Sequence, residues 1–237
     1  MKQDKIFLSI VIPCFNEEKT LKDIVEKVIC NTKKYRIEIL IVDDFSTDNS
    51  IKVINNLQKK YKFIRLLAHN NNQGKGAALR TGFNNLSDSD ITIIQDADLE
   101  YDPSEYEKLI EPIIKKNSDV VYGSRFLSGS ERRVLYFWHR YANGLLTFLS
   151  NVFTNLNLTD METCYKVFKT KILKQITIEE NRFGIEPEIT AKISKMNLVI
   201  YEVGISYHGR TYEEGKKIGL KDAFRALFCI LKYNIFR

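Results

Sequence analysis

Two carboxylates one residue apart, Asp96-Ala97-Asp98, end the apolar run Ile91-Thr92-Ile93-Ile94, and the chain then turns through Leu99-Glu100-Tyr101-Asp102-Pro103. Paired acids delivered by a strand into a turn have the donor set of a divalent-metal site. Hard cations such as Mg²⁺ take oxygen ligands and are usually shared between one or two carboxylates and the phosphates of a substrate. Bound there, such an ion neutralises charge gathering on a departing diphosphate. A second acidic pair, Asp43-Asp44, ends another apolar run. Carboxylates in that place can accept hydrogen bonds from a base or a ribose, while Ser46 and Asp48 beyond them also suit the capping of a helix. Asn16-Glu17 reads equally as a helix start and as a ribose contact. Gly74-Lys75-Gly76 is not a P-loop, since no glycine stands five residues before Gly74 and Gly76 replaces the metal-binding hydroxyl. What remains is a turn, a helix N-terminus and one lysine, which suit a diphosphate. His69, His139 and His208 are scattered and read as structural.

The elements that must hold these residues alternate two periodicities. Residues 7–12, 37–42, 63–68, 91–95 and 119–122 are short apolar runs that read as strands. Helical patterns fall between them: residues 17–29, with Leu21, Ile24, Val25 and Val28 on one face, then a segment ending near Lys60, then 74–85, then 103–116 behind Pro103. Repeated β-α-β units predict an α/β fold, a mostly parallel sheet with helices on both faces. Ligands of such sheets bind at the carboxyl ends of the strands, and there the polar signatures collect: Pro13 to Glu18, Asp43 to Ser46, Asn70 to Gly76, the acidic turn, and Gly123-Ser124-Arg125.

The second half differs. Residues 134–158 carry Leu145, Leu149, Val152 and Leu156 at helical spacing, and residues 220–236 carry Phe224, Leu227, Phe228, Leu231 and Ile235. Such stripes either pack on the sheet or form a basic amphipathic surface at a membrane interface. Residues 205–237 hold seven basic side chains against three acidic ones, within a net charge of +6, which suits a phosphate-bearing partner. With 44% hydrophobic and 28% charged residues over 237 positions, the composition predicts an ordered α/β protein. Cys14, Cys30, Cys164 and Cys229 lack metal-ligand spacing and read as thiols of a reducing compartment. With no signal peptide or transmembrane run in view, a cytoplasmic protein is expected.

Taken in order, residues 10–17 (IVIPCFNE), 42–48 (VDDFSTD), Gly74-Lys75-Gly76-Ala77 and Asp96-Ala97-Asp98-Leu99 resemble the successive motifs of family 2 glycosyltransferases with the GT-A fold. Gly123-Ser124-Arg125-Phe126 and Tyr101-Asp102-Pro103 resemble the dolichol-phosphate mannosyltransferase-like branch, which glycosylates polyprenyl phosphates. Residues 159–166 (TDMETCYK), 183–188 (FGIEPE) and 207–219 (YHGRTYEEGKKIG) look like subgroup hallmarks. The resemblance implies a single GT-A (Rossmann-like) domain over 1–237; the sequence pattern itself adds the C-terminal amphipathic helices and no transmembrane segment. Its nucleotide-sugar-binding half would be 1–125 and its acceptor-binding half 126–237.

Residue by residue, the resemblance places Pro13, Phe15, Glu17, Asp43 and Asp44 around the nucleotide, Asp44 near base or ribose, with Lys75 and Ala97 beside them. Asp96 and Asp98 would hold Mg²⁺ or Mn²⁺ against the diphosphate; Glu100, where relatives often carry glutamine, would be a third carboxylate. Arg125 and Arg140 would meet an acceptor phosphate, where a guanidinium fits well. Asp160, with Glu162, would face the sugar, and Arg210, Lys216 and Lys217 would close over the diphosphate. Asp96, Asp98, Asp160 and Arg125 form the expected catalytic set. The implied reaction is inverting transfer of a hexose from UDP-glucose or GDP-mannose to a polyprenyl or dolichyl phosphate, at the inner face of the membrane. A membrane protein could supply the anchor that many branch members carry as C-terminal helices, and no nucleic acid is expected as partner. Two other enzyme readings share part of the pattern. One is transfer to a hydroxyl of a glycan or small molecule, with Asp160 as base. The other is sugar-phosphate nucleotidyl transfer, which calls for a Gly-rich, Arg-containing loop that residues 13–17 lack.

Overall fold

A computed structural model describes residues 5–127, 133–134, 136–211, 213 and 219–236. The apolar runs of the first half form parallel strands buried on both faces, where β-branched side chains pack well. β1 (Phe7–Cys14) lies between β2 (Arg36–Asp43) and β4 (Ile91–Ile94), and β3 (Ile64–Ala68) pairs with β2. The register sets Cys14 beside Asp43 and Asp43 beside Ala68, so the loops leaving these strands emerge together. α1 (Leu21–Asn31), α2 (Ser50–Lys60) and α3 (Lys75–Asn84) connect them, and α1 buries Leu21, Ile24, Val25 and Val28 as their spacing predicts.

α1 starts at Leu21 rather than Glu17 because the preceding residues latch two loops together. Asn16, at φ 54°, accepts from the Thr47 amide at 2.7 Å; the Glu17 amide donates to the Ser50 hydroxyl, and the Glu18 carboxylate accepts from the Asn49 amide. α4 (Tyr106–Lys116) is entered through a 3₁₀ turn at Pro103–Glu105, capped by Asp102, which accepts from the Ser104 amide.

Among the described residues the sheet has seven strands, in the order β3-β2-β1-β4-β6-β5-β7. β5 (Val120–Ser124) matches the last predicted run. β6 (Lys166–Lys169) and β7 (Ile200–Gly204) were not foreseen. β6 carries a lysine at each end and offers no apolar run, yet it inserts antiparallel between β4 and β5, while β7 pairs parallel with β5. Because β6 runs backwards, β5 points the same way as β4 and ends on the same rim. Lys166 is wholly buried, its ammonium held by Glu186 and by the carbonyls of Met161 and Thr163.

α6 (Thr170–Leu173) and α7 (Ile185–Ser194) lead to α8 (Leu220–Ile235), which packs on α7 and on α5 (Phe137–Thr154). Of the two readings of the apolar stripes, packing on the sheet does not hold for most of their residues. Phe224, Leu227, Phe228, Leu231 and Ile235 of α8 are all exposed, as are Leu145 and Val152 of α5; Leu149 and Leu156 alone of the first stripe lean on the core. α5 is inside out: it buries Thr147 and Ser150 and exposes Trp138, Tyr141, Leu145, Phe148 and Val152 at alternating spacings of three and four. α8 docks instead through Ala226, Cys229, Ile230 and Tyr233 and through Arg225, Lys232 and Tyr233, which all donate to the Glu180 carboxylate. No helix among the described residues is long and apolar enough to cross a membrane. All four cysteines are free thiols, Cys30 exposed and the others buried.

Two glycines explain the start of α3. Gly74 adopts φ 98°, open to glycine at little cost, and a Cβ on Gly76 would stand 2.3 Å from the Glu180 carbonyl oxygen. Gly76→Ala is therefore expected to destabilise by about 1–3 kcal/mol. Gly144→Ala, in open space on α5, should stabilise by about 0.5–1 kcal/mol. Urea denaturation of the two variants checks both signs.

Candidate active site

A cleft of about 720 Å³ runs along the strand-end rim. It gathers Pro13, Phe15 and Glu17 from the loop after β1, Asp44 after β2, Lys75 at the start of α3, the turn from Asp96 to Glu100, Arg125 after β5, Arg140 on α5, and Arg210. Glu162, Cys164 and Glu186 complete its floor. Asp43 and Asp160 do not line it. Lys216 and Lys217 lie outside the described residues.

Asp43 and Asp44, expected beside a nucleotide, are held by hydrogen bonds within the protein. Asp44 accepts from the amides of Gln73 and Gly74 at 2.9 and 2.7 Å and from His69 at 2.8 Å, fixing the glycine turn. His69 also meets the Thr81 hydroxyl, in keeping with its structural reading. Asp43 is wholly buried beneath the cleft; one oxygen accepts from the Ser46 amide and the other has no hydrogen-bond partner.

The acidic turn is built on Gln95, which is fully buried. Its carbonyl oxygen accepts from the hydroxyls of Tyr106 and Tyr165, and its amide donates to the Asp96 carbonyl. Leu99 takes φ 62°, a backbone state that a bulky side chain holds only where its surroundings over-determine it. Each carboxylate of the turn then meets a cation. Lys75 lies 3.0 Å from Asp96 and 3.6 Å from Glu186. Arg210 reaches Asp98 at 2.6 Å, Glu100 at 3.2 Å and Glu17 at 3.5 Å. Both Glu100 oxygens are engaged, one by the Tyr207 hydroxyl and the other by the Arg210 amide. Burial, and then the nearby Asp96 and Glu100, push the Asp98 carboxyl up to about 7 despite Arg210.

At the opposite end, Asp160 was expected to face the sugar. It is instead wholly buried under Arg125, both oxygens gripping the guanidinium at 2.7 Å, with the Arg125 amide as a third donor. Glu202 in turn accepts from the amides of Thr159 and Asp160. This chain of carboxylates aims Arg125 into the cleft, where it lies over the Tyr207 ring. Arg140 stacks on Phe126 with its guanidinium carbon 3.4 Å from the ring centroid. Glu162, two residues beyond Asp160, does line the cleft. Its Oε1 is buried without a hydrogen-bond partner, and burial, followed by the field of Glu186, pushes its carboxyl up to about 8. Gln95 and Glu202 escaped the sequence reading; Gln95 left a signal, a polar residue closing an apolar run, whereas Glu202 left none.

The Asp96–Asp98 turn fits a divalent cation in one respect: carboxylates crowded enough to raise Asp98 demand positive charge. Among the described residues no three such side chains form a ready metal cage, but an ion shared with a diphosphate needs only one or two carboxylates.

The strand-end rim thus gathers carboxylates and cations along one edge of a GT-A-like sheet. The chain belongs to Glycosyl transferase family 2, whose profile matches residues 9–177. It is 27% identical to the UDP-N-acetylglucosamine--dolichyl-phosphate N-acetylglucosaminyltransferase of Methanococcus voltae, over 94% of this chain and 96% of that one. It is 26% identical to the dolichol-phosphate mannosyltransferase of Pyrococcus furiosus, over 96% of this chain but 64% of that protein's length. Among solved structures, glucosyl-3-phosphoglycerate synthase of Mycobacterium tuberculosis, in complex with Mn²⁺, UDP and phosphoglyceric acid, superposes with a TM-score of 0.75 at 16% identity, covering 98% of this chain and 79% of that one.

Glu162 gives a pH signature. Its carboxyl titrates near 4.5 when unfolded and near 8 when folded, so folding favours the protonated form. The stability it contributes is complete below the unfolded value and is lost as pH rises toward about 8. Glu162→Gln should abolish that part of the decline, read as melting temperature against pH for variant and wild type.

Proposed function

We propose that the protein transfers a hexose from a nucleotide sugar, UDP-glucose or GDP-mannose, to a polyprenyl phosphate, with inversion, at the cytoplasmic face of a membrane. The observation that carries this reading is the polarity of the cleft. One end is a carboxylate turn suited to a metal-bound diphosphate, and the other is the arginine pair Arg125 and Arg140, on the edge of an exposed apolar helix. The relatives from Methanococcus and Pyrococcus, which by name act on dolichyl phosphate, support the acceptor class.

Pro13, Phe15, Glu17 and Asp44 line the nucleotide end in this reading, with Asp43 beneath, and the 1–125 half binds the donor while 126–237 binds the acceptor. Asp96 and Asp98 would hold Mg²⁺ or Mn²⁺, which when bound offsets charge on the diphosphate. Glu100 orients Arg210. Lys75 and Arg210 stabilise the leaving nucleoside diphosphate as the bond from its oxygen to the anomeric carbon breaks. Arg125, held by Asp160, and Arg140 orient the acceptor phosphate, whose oxygen forms the new bond from the opposite face. With a second pKa near 6, a phosphate monoester is largely ionised at neutral pH, so no base is needed. The task is to bring two anions together in line.

The exposed faces of α5 and α8 support contact with the lipid surface itself. Trp138 and Phe224 are each 73% exposed, and contiguous apolar area of this kind marks an interaction surface. Lys221, exposed on α8, suits anionic headgroups.

Turnover of UDP-glucose or GDP-mannose should require both polyprenyl phosphate and a divalent metal; metal-independent turnover would remove the role given to Asp96 and Asp98. Transfer to phosphoglycerate or a glycan hydroxyl in place of the lipid would favour the soluble-acceptor reading. Arg140→Ala should raise the acceptor KM about tenfold or more, the loss of one charge-assisted contact, with donor KM little changed. In flotation with anionic liposomes, wild type should rise with the lipid and the double variant Trp138→Glu, Phe228→Glu should stay in the soluble fraction with an unchanged circular dichroism spectrum.

A further inference from the structure

Glu162 differs from its neighbours in the cleft. Asp96, Asp98, Glu100 and Glu186 each hold a cation, whereas Glu162 Oε1 is buried and unpartnered. A buried oxygen in that state is unfavourable until a ligand supplies a donor. Its position is bracketed on both sides. Asp160, two residues earlier, holds Arg125; Cys164, two residues later, lines the same cleft as Lys75 and Asp96. Glu162 therefore stands between the arginine end and the acidic end. A sugar joining a diphosphate at one end to an attacking group at the other must pass over this stretch. The cations that face Glu162 are already engaged, Lys166 by Glu186 and Arg125 by Asp160, which leaves Glu162 with hydrogen-bonding capacity and no ion pair.

We propose that Glu162 is the specificity-determining residue for the transferred sugar, exchanging hydrogen bonds with the hydroxyls of a neutral hexose; this rests on the reading of the cleft as a nucleotide-sugar site. A carboxyl raised by burial is protonated much of the time at neutral pH, so one oxygen accepts from a hydroxyl while the other donates to one. No proton leaves it.

The test is isothermal titration of the full chain with UDP, GDP, UDP-glucose and GDP-mannose in the presence of Mn²⁺, for wild type, Glu162→Ala and Glu162→Gln. If neither diphosphate binds, the nucleotide-sugar reading falls, and this inference with it. Where a diphosphate binds, the preference for its hexosyl form should drop about tenfold in Glu162→Ala, the loss of one hydrogen bond, while affinity for the bare diphosphate stays within about twofold. Glu162→Gln, which still accepts and donates, should retain most of the preference. Should Glu162→Ala fail to fold, Glu162→Met keeps the volume and carries the same expectation. An unchanged preference in the apolar variant overturns the inference, as does an equal loss of diphosphate and hexosyl diphosphate, which marks a merely structural role.

Discussion

Everything at the rim depends on balancing carboxylates that a parallel sheet delivers to one edge. Asp96, Asp98, Glu100 and Glu17 come from the first half of the chain and crowd within reach of one another. Like charges in so dry a place repel strongly. They are tolerated because cations cross to them, Lys75 from its own half and Arg210 from the far one. The second half has acids of its own, and the traffic there runs both ways: Glu186 takes Lys166 and approaches Lys75, Asp160 takes Arg125, and Glu180 takes Arg225 and Lys232. The two halves are thus joined by charge as well as by the antiparallel strand that inserts between β4 and β5.

That balance decides what each acid can do. An oxygen locked to amides or to a guanidinium is a positioning group, as with Asp44, Asp160 and Glu202. Tyrosine hydroxyls do similar work for the neutral Gln95. Removing one partner of such a buried pair leaves the other uncompensated, which costs more than the pair contributes. The rim is therefore rigid in its supports and adaptable at the few oxygens that face the cleft.

How much of this was legible in the sequence follows from the range of the signals. Strands β1 to β5 and helices α1 to α4 carry local periodicity, and the strand-end motifs sat in plain view because parallel sheets put them on one edge. β6 was not legible, since Lys166 reads as surface until Glu186, twenty residues on, neutralises it. The start of α1 was misplaced because Asn16, Glu17 and Glu18 bond to residues thirty positions away. The stripes on α5 and α8 were correctly seen as amphipathic, but period alone does not say which face looks inward; Thr147 and Ser150 take the core side of α5, and packing on α7 and Glu180 decides it for α8. Asp160 departed from its expected place for a similar reason. Asp160 and Glu162 are equivalent in sequence, and only the position of Arg125 separates the clamped acid from the open one.

α5 has a metric consequence. Arg140 lies between Trp138 and Tyr141, so at about 1.5 Å of rise per residue its backbone is only a few ångströms along the axis from the exposed aromatic stripe. The helix acts as a ruler. Under the proposed function, a membrane covering the stripe would set the height of the guanidinium above it, and hence the depth from which a phosphate on a greasy chain could be presented to the cleft. Changing the register of aromatics to arginine on this one helix would shift that depth without touching the acidic end of the cleft.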